Sequence, residues 1–291
     1  MDLKDSMLDK VRQAAFWEEL WHNSDPQQKQ PLDRDKSIAM WNNRAQQFAE
    51  NTARNQNNIA KREAVFRFLA DCGVDLAGAT ILDIGSGPGN YTIPMAKVAK
   101  EVVALDPAPQ MLEIVKTRAE AEGLGNISYM AVPWEDVDLD ALGWRGKFDL
   151  VFASVVPGVK DVPTLRKMMA ASRKHCYLSK FAGERKNNLQ HKIWQRLMGR
   201  ARNLHAMDVF LPWNYLYTMG YYPHLKFIAS NWENIEPIAV MEARMCDWFA
   251  RFNDLPGHYW QVIREVLEEE AVDGLVKEEV KSHLGLMVWE V

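Results

Sequence analysis

Through residues 1–75 the apolar positions recur at helical spacing. Val11, Ala14, Trp17 and Trp21 lie three or four residues apart and predict an amphipathic helix. The polar, proline-containing stretch NSDPQQKQPLD ends it. A second helix is expected to carry Ile38, Trp41, Ala45 and Phe48 on one face. A third runs through AKREAVFRFLADCG, with Gly73 as its C-terminal stop. No strand pattern precedes Thr80. From there the period changes. ATILDIG, EVVALD, NISYMAV, KFDLVFASVV and CYLSKF read as strands. YTIPMAKVA, PQMLEIVKTRAEAEG and VPTLRKMMAASRKH read as the helices between them. Apolar strands alternating with amphipathic helices predict a parallel sheet covered on both faces, an α/β fold.

After Gly183 the rhythm breaks. ERKNNLQHKIWQRLMGRARNLHA reads as a polar helical insert, LPWNYLYTMG as a short helix and HLKFIASNW as a strand. Residues 235–283 read as mainly helical with a break at Pro256–Gly257, and LGLMVWEV as a closing strand. The expected organisation is therefore a helical N-terminal cap segment over 1–75, a core over 76–183, a helical insert over 184–212, and a C-terminal part of the core over 213–291 that holds a second insert, 235–283.

Composition narrows the function classes. The 291 residues are 47% hydrophobic and 25% charged, ordinary for a soluble globular chain. A net charge of −4 gives no global attraction for phosphate backbones, so a nucleic-acid partner is disfavoured. Cys72, Cys176 and Cys246 lie far apart and form no CxxC or disulfide framework, which suits a reducing, cytoplasmic setting. No stretch has the signal-peptide pattern or the length of a membrane span. The seven histidines form no HxH or HExxH, so no metal is expected. His191, His205 and His258 fall in the inserts, where each reads as a surface residue as readily as a base.

The chemistry concentrates in ILDIGSGPGNY. Gly85, Gly87 and Gly89 follow a buried strand at every second position. Glycine admits positive φ and lets a ligand lie against the backbone, at the strand's carboxyl end where parallel sheets bind ligands. The dinucleotide fingerprint GxGxxG fails, because Asn90 holds the place of its third glycine. That argues against a nicotinamide dehydrogenase. The run Asp83-Ile84-Gly85-Ser86-Gly87-Pro88-Gly89 instead resembles motif I of the class I S-adenosylmethionine (SAM)-dependent methyltransferases. EVVALDPAPQML, ISYMAVPWEDV and KFDLVFASVV resemble that family's next three segments, in order, so the resemblance covers about 76–183.

The resemblance implies a seven-stranded Rossmann-like sheet with the final strand antiparallel. The N-terminal segment and the inserts are expected to cap its carboxyl edge. It also implies a SAM site, with S-adenosylhomocysteine (SAH) as product. Asp83 and the glycines would hold the donor with Asn90, Asp106 would take the ribose hydroxyls beside Pro107, and Met111 would pack on adenine. Where the family often places Asp-Ala before an acidic pair, this chain has Pro133-Trp134 followed by Glu135-Asp136, so Trp134 would stack on the base, Glu135 or a backbone group would take the adenine amine in place of the missing Asp, and Ser154 falls near the methionine end. The Asn/Asp-Pro-Pro-Tyr/Phe motif of amine-methylating enzymes is missing from ASVVPGVKD. A small-molecule acceptor is expected, with Trp41, Tyr91, Tyr215 and Tyr221 as candidate lining residues and no catalytic residue assigned. Trp41 reads equally as helix packing, and the 213–222 aromatics equally as core or interface. A homodimer stays open, as does a SAM-binding sensor or assembly protein without catalysis.

Overall fold

The computed structural model describes residues 3–24, 33–54, 56–200, 208–250, 252 and 255–291. His205, and the middle of the expected break after the first helical segment, lie outside them. The N-terminal helices are α1 (Leu3–Val11), α2 (Ala14–Ser24), α3 (Arg34–Arg54) and α4 (Gln56–Asp71). There follow β1 (Thr80–Ile84), α5 (Thr92–Ala96), β2 (Glu101–Leu105), α6 (Pro109–Ala121), β3 (Ile127–Met130), β4 (Phe148–Ser154), α7 (Val162–Ala171) and β5 (Ser172–Asn187). The remainder is α8 (Asn188–Met198), α9 (Phe210–Thr218), β6 (His224–Ala229), β7 (Trp232–Pro237), α10 (Ile238–Phe249), α11 (Tyr259–Glu270) and β8 (Leu275–Glu290).

The sheet runs β3-β2-β1-β4-β5-β8-β6, with β7 pairing onto β8 beside that path. The first five strands are mutually parallel, and β8 is antiparallel to β5, β6 and β7. The Rossmann-like α/β architecture and the antiparallel final strand are as expected. The strand number is not: the described residues form eight strands rather than seven. HLKFIASNW divides into β6 and the start of β7, with Ser230 and Asn231 turning between them.

Strand alternation places the core on both faces. Leu82, Ile84, Val103, Leu105, Val151, Ala153, Leu178, Met287 and Trp289 point to one face, where α2, α7 and α9 contribute Trp17, Trp21, Leu165, Met168, Tyr215 and Leu216. Ile81, Val102, Leu150, Phe152, Tyr177, Leu286 and Val288 point to the other, under Val65, Phe68 and Leu69 of α4.

Two boundaries differ from expectation for one reason. β8 begins at Leu275, so the second insert is helical only to Glu270. β5 runs on to Asn187, four residues into the expected helical insert. Along VKEEVKSHL the inward positions are Val276, Glu278, Val280, Ser282 and Leu284, all buried. Two polar residues on the inward face hide the period of two. Glu278 is tolerated there because Asn187 Nδ2, Asn234 Nδ2 and Arg244 donate to its carboxylate at 2.8, 2.9 and 2.6 Å. The outer halves of β5 and β8 thus form an arm with β7 beyond the carboxyl edge of the sheet. α8, α10 and α11 pack on it around Leu189, Ile193, Trp194, Met241, Phe249, Ile263 and Val276, a core separate from the other two.

Candidate functional site

β1 and β2 end side by side, with Ile84 opposite Leu105. The glycine loop leaves the first and Asp106 follows the second. All three loop glycines are left-handed: φ is +68° at Gly85, +51° at Gly87 and +81° at Gly89. Their surroundings differ. A Cβ on Gly85 would sit 2.9 Å from Val156 Cβ and closer still to its Cγ1, and one on Gly89 would sit 3.1 Å from the Val115 methyls. A Cβ on Gly87 would meet nothing within 4 Å. Gly85 and Gly89 therefore serve packing, and Gly87 presents bare backbone to open space.

Asp106 ties the two loops together. Its carboxylate accepts from Gly87 N and from Ala108 N, each at 2.9 Å. Burial raises its pKa and those two backbone donors oppose the rise. Each oxygen keeps a lone pair for a further donor such as a ribose hydroxyl. Pro107 sits at this turn, and Ala108 and Pro109 lead into α6. Asp83, inside β1 and 2% exposed, accepts from Thr92 Oγ1 at 2.6 Å. Burial pushes its pKa up to about 7, with the nearby Asp106 charge acting in the same direction. Asn90 donates to Thr52 Oγ1 at 2.9 Å, and Arg118 donates to the Pro88 carbonyl at 2.6 Å, so the loop is pinned from α3 and from α6.

α3 lies over this region. Asn42 Oδ1 accepts from Gln110 N at 3.0 Å, supplying the first turn of α6 with an acceptor from outside that helix. Ala45 packs with Ala108 and Met111, and Trp41 borders the same cluster. Met111 is therefore covered by α3. At its other flank Arg44 bonds to Asp247 at 3.2 Å, joining α3 to α10.

The remaining candidates divide. Ser154, at the end of β4, shares a 3.0 Å hydrogen bond with Ser179 on β5. Tyr91 stands beside it, its ring 4.9 Å from Phe152, with burial raising its pKa and a bond with Ser154 opposing. Both belong to the same strand-end region as the glycine loop. Trp134 does not present a stacking face there. Its indole lies in the core, 2% exposed, and its Nε1 donates to the Thr164 carbonyl at 3.1 Å. Glu135 is engaged by Lys160 at 3.2 Å. Tyr215 is likewise core, its hydroxyl accepting from Arg166 at 2.7 Å on the α7 side, and Tyr221 packs against the same cluster. The 213–222 aromatics thus support α2 and α7, because a tyrosine ring can be buried when its hydroxyl finds a partner.

The sequence reading missed several residues that shape the region. Lys167 donates to the carbonyls of Trp134, Glu135 and Val137 at 3.2, 2.9 and 2.9 Å and so fixes the loop after β3. Asn42, Thr52 and Arg118 reach the site from helix surfaces, where polar residues are ordinary. Val155, immediately after β4, has φ +53°, a backbone conformation that a β-branched residue rarely adopts, and its neighbour Val156 occupies the space left by Gly85. Nothing local in sequence marks it. Among the described residues no cluster of His, Cys, Asp and Glu could hold a metal, and no helix is long and apolar enough to cross a membrane.

Residues 81–176 match the family model described as a methyltransferase domain. Curated relatives align over the same part. A 23S rRNA (uracil(1939)-C(5))-methyltransferase, RlmD, of Shewanella amazonensis is 38% identical over 97 residues, which is 33% of this chain and 22% of that protein. A ubiquinone biosynthesis O-methyltransferase of a Methylobacterium species is 38% identical over 98 residues, 33% of this chain and 37% of that one. A magnesium-protoporphyrin O-methyltransferase of Rhodobacter capsulatus is 35% identical over 79 residues, 27% of this chain and 33% of that one. The alignments thus span between about a fifth and somewhat over a third of these relatives' lengths. Among solved structures, magnesium protoporphyrin IX methyltransferase of Synechocystis PCC 6803 with bound SAH superimposes with a TM-score of 0.46 at 17% identity, covering 60% of this chain and 77% of that one. Glycine loop, strand order and family match fall on the same part of the chain: residues 81–176 are similar to a methyltransferase domain.

Proposed function

We propose that this protein transfers a methyl group from SAM to a small-molecule acceptor. The observation that carries the reading is the pair formed by Gly87 and Asp106. One offers bare backbone to open space, and the other is a buried carboxylate fixed by two backbone donors with lone pairs to spare. An adenosine ribose needs a double acceptor of this kind, and a close approach needs a glycine of this kind.

The donor-binding core is taken as 76–183. Within it, Gly85, Gly87 and Gly89 shape the loop, Asn90 anchors it, and Asp106 with Pro107 receives the ribose. Asp83 is assigned to the donor's amino group. Bound there, SAM supplies a methyl group already activated by a cationic sulfur. The chain's task is then to align an acceptor and exclude water, and it need not protonate a leaving group. Ser154 and Tyr91 are the polar groups best placed to orient an acceptor at the end of β4.

A small acceptor is favoured over a polymer by α3. It is held to α6 through Asn42, to the glycine loop through Thr52 and to α10 through Arg44, which roofs the carboxyl edge. The relatives that share the domain include enzymes named for RNA and for small molecules alike. The cap lies outside the shared segment, so the acceptor must be read from this chain's own roof. Calorimetric titration with SAH is the direct test. Submicromolar to micromolar binding that weakens in Asp106→Ala is expected, and no binding of either SAM or SAH would overturn the proposal.

A further inference from the structure

β5 does not stop at the sheet edge, and its outer half carries two residues the methyl-donor site does not use. Phe181 borders the same apolar cluster as Tyr91 and Val155. The guanidinium of Arg185 lies over the Phe181 ring, 5.2 Å from its centroid, and over the indole of Trp232, 5.0 Å from its centroid. On that same indole, at 5.9 Å, sits the ammonium of Lys61 from α4. The two cationic groups therefore lie within about 11 Å of each other, flanking one aromatic ring.

Both are partly removed from water. Burial lowers the pKa of each, and for Lys61 it is the sole cause. Arg185 Nε is fully buried and has no hydrogen-bond partner. Lys61 Nζ has one hydroxyl, Ser230 Oγ, at 3.4 Å, and no carboxylate within ion-pair distance among the described residues. Glu278 is the acid whose field reaches Arg185, but its two oxygens already accept from Asn187, Asn234 and Arg244. Two half-buried cations with no directly paired carboxylate among the described residues are costly, and aromatic faces offset only part of that cost. The arrangement becomes favourable once an anion enters.

We propose that Arg185, Lys61 and Trp232 form an anion-binding shelf at the acceptor end of the site, and that the acceptor is a small molecule bearing a carboxylate. This rests on the methyltransferase reading above and adds the substrate's class to it. The carboxylate binds at Arg185, whose planar donor set suits a two-oxygen anion, and the acceptor's apolar body lies along Phe181 and Trp232 toward Tyr91 and Ser154. Lys61 strengthens the field without having to touch the anion.

The test uses full-length protein preloaded with SAH. Side-chain Nε–Hε resonances are recorded by 15N NMR during separate titrations with benzoate, acetate and inorganic phosphate, at constant ionic strength. Arg185→Lys identifies the Arg185 signal. Saturable movement of that signal is expected with benzoate, more weakly with acetate. Lys61→Gln, which keeps a polar group at a half-buried position, should weaken benzoate binding about tenfold and leave SAH affinity unchanged. An Arg185 signal unmoved by any of the three anions, or moved by phosphate alone, overturns the carboxylate assignment. Failure of SAH to bind in the preloading step is a separate result. It would overturn the methyltransferase proposal.

Discussion

Replacing Gly87 and Gly85 by alanine, one at a time, separates two duties that the sequence cannot tell apart. Both sit at positive φ, +51° and +68°. An alanine there costs roughly 1–2 kcal/mol in backbone conformation, partly offset by the stiffer unfolded chain. Gly85→Ala adds a steric term, because its Cβ would lie under 3 Å from Val156, whose own place beside Val155 is conformationally fixed. Overpacking of that kind costs a further ~1–3 kcal/mol. Urea unfolding should therefore show a loss of about 3 kcal/mol for Gly85→Ala and about 1 kcal/mol for Gly87→Ala. SAH affinity should run the other way in Gly87→Ala. That variant should stay folded, but its new methyl projects into the open space proposed for the cofactor. Its Kd should rise about tenfold or more, a penalty of at least about 1.4 kcal/mol. Val156→Ala should restore part of the stability of Gly85→Ala and none of the affinity of Gly87→Ala. A Gly87→Ala protein that binds SAH as tightly as the unaltered chain would refute the assignment of that open face to the donor.

Asp83 gives a pH signature. Its folded pKa of about 7 stands above the unfolded value near 3.9, so the folded chain keeps a proton that the unfolded chain releases. Its contribution to stability is full below about pH 4 and is lost as pH rises to about 7, and Asp83→Asn should flatten that part of the stability profile. If Asp83 meets the donor's ammonium, SAM binding at pH 6 releases a proton. Calorimetry in two buffers of different ionisation enthalpy should detect it, and Asp83→Asn should abolish it. Lys167→Met removes three carbonyl bonds at once and should lower unfolding free energy by about 2–3 kcal/mol, measured by urea unfolding. Asn42→Ala removes the acceptor at the start of α6 and should cost about 1 kcal/mol by thermal unfolding, with a modest loss of SAH affinity because Met111 loses its cover.

The core was legible in the sequence because parallel strands buried on both faces announce themselves as apolar runs. The loop was legible because glycine has few reasons to recur so closely. The arm was not. Glu278 and Ser282 occupy inward positions of β8, and polar residues there hide a strand from any reading based on alternation. Their partners, Asn187, Asn234 and Arg244 for the one and Ser230 for the other, are brought together only by the fold. Trp134 and Tyr215 were ambiguous for a related reason. An aromatic residue with a polar tip serves a pocket or a core equally well, and what decides is a distant partner, the Thr164 carbonyl for one and Arg166 for the other. Lys167 and Arg118 gave no signal, since a cation on an amphipathic helix is normally solvated.

The position of β8 sets the order of assembly. Among the described strands it comes last in sequence, yet it lies inside the sheet, between β5 and β6, and its outer half also carries β7. Until residues 275–290 have been synthesised, β5 exposes an unpaired edge and β6 and β7 have no strand to join. The parallel half can form while the chain is still on the ribosome, but the arm closes only once β8 is present. The nascent protein therefore passes through a stage with a long open edge, the form in which β proteins are most prone to pair wrongly. A substitution that weakens β8 should reduce the yield of folded protein during synthesis more than it lowers the stability of protein already folded.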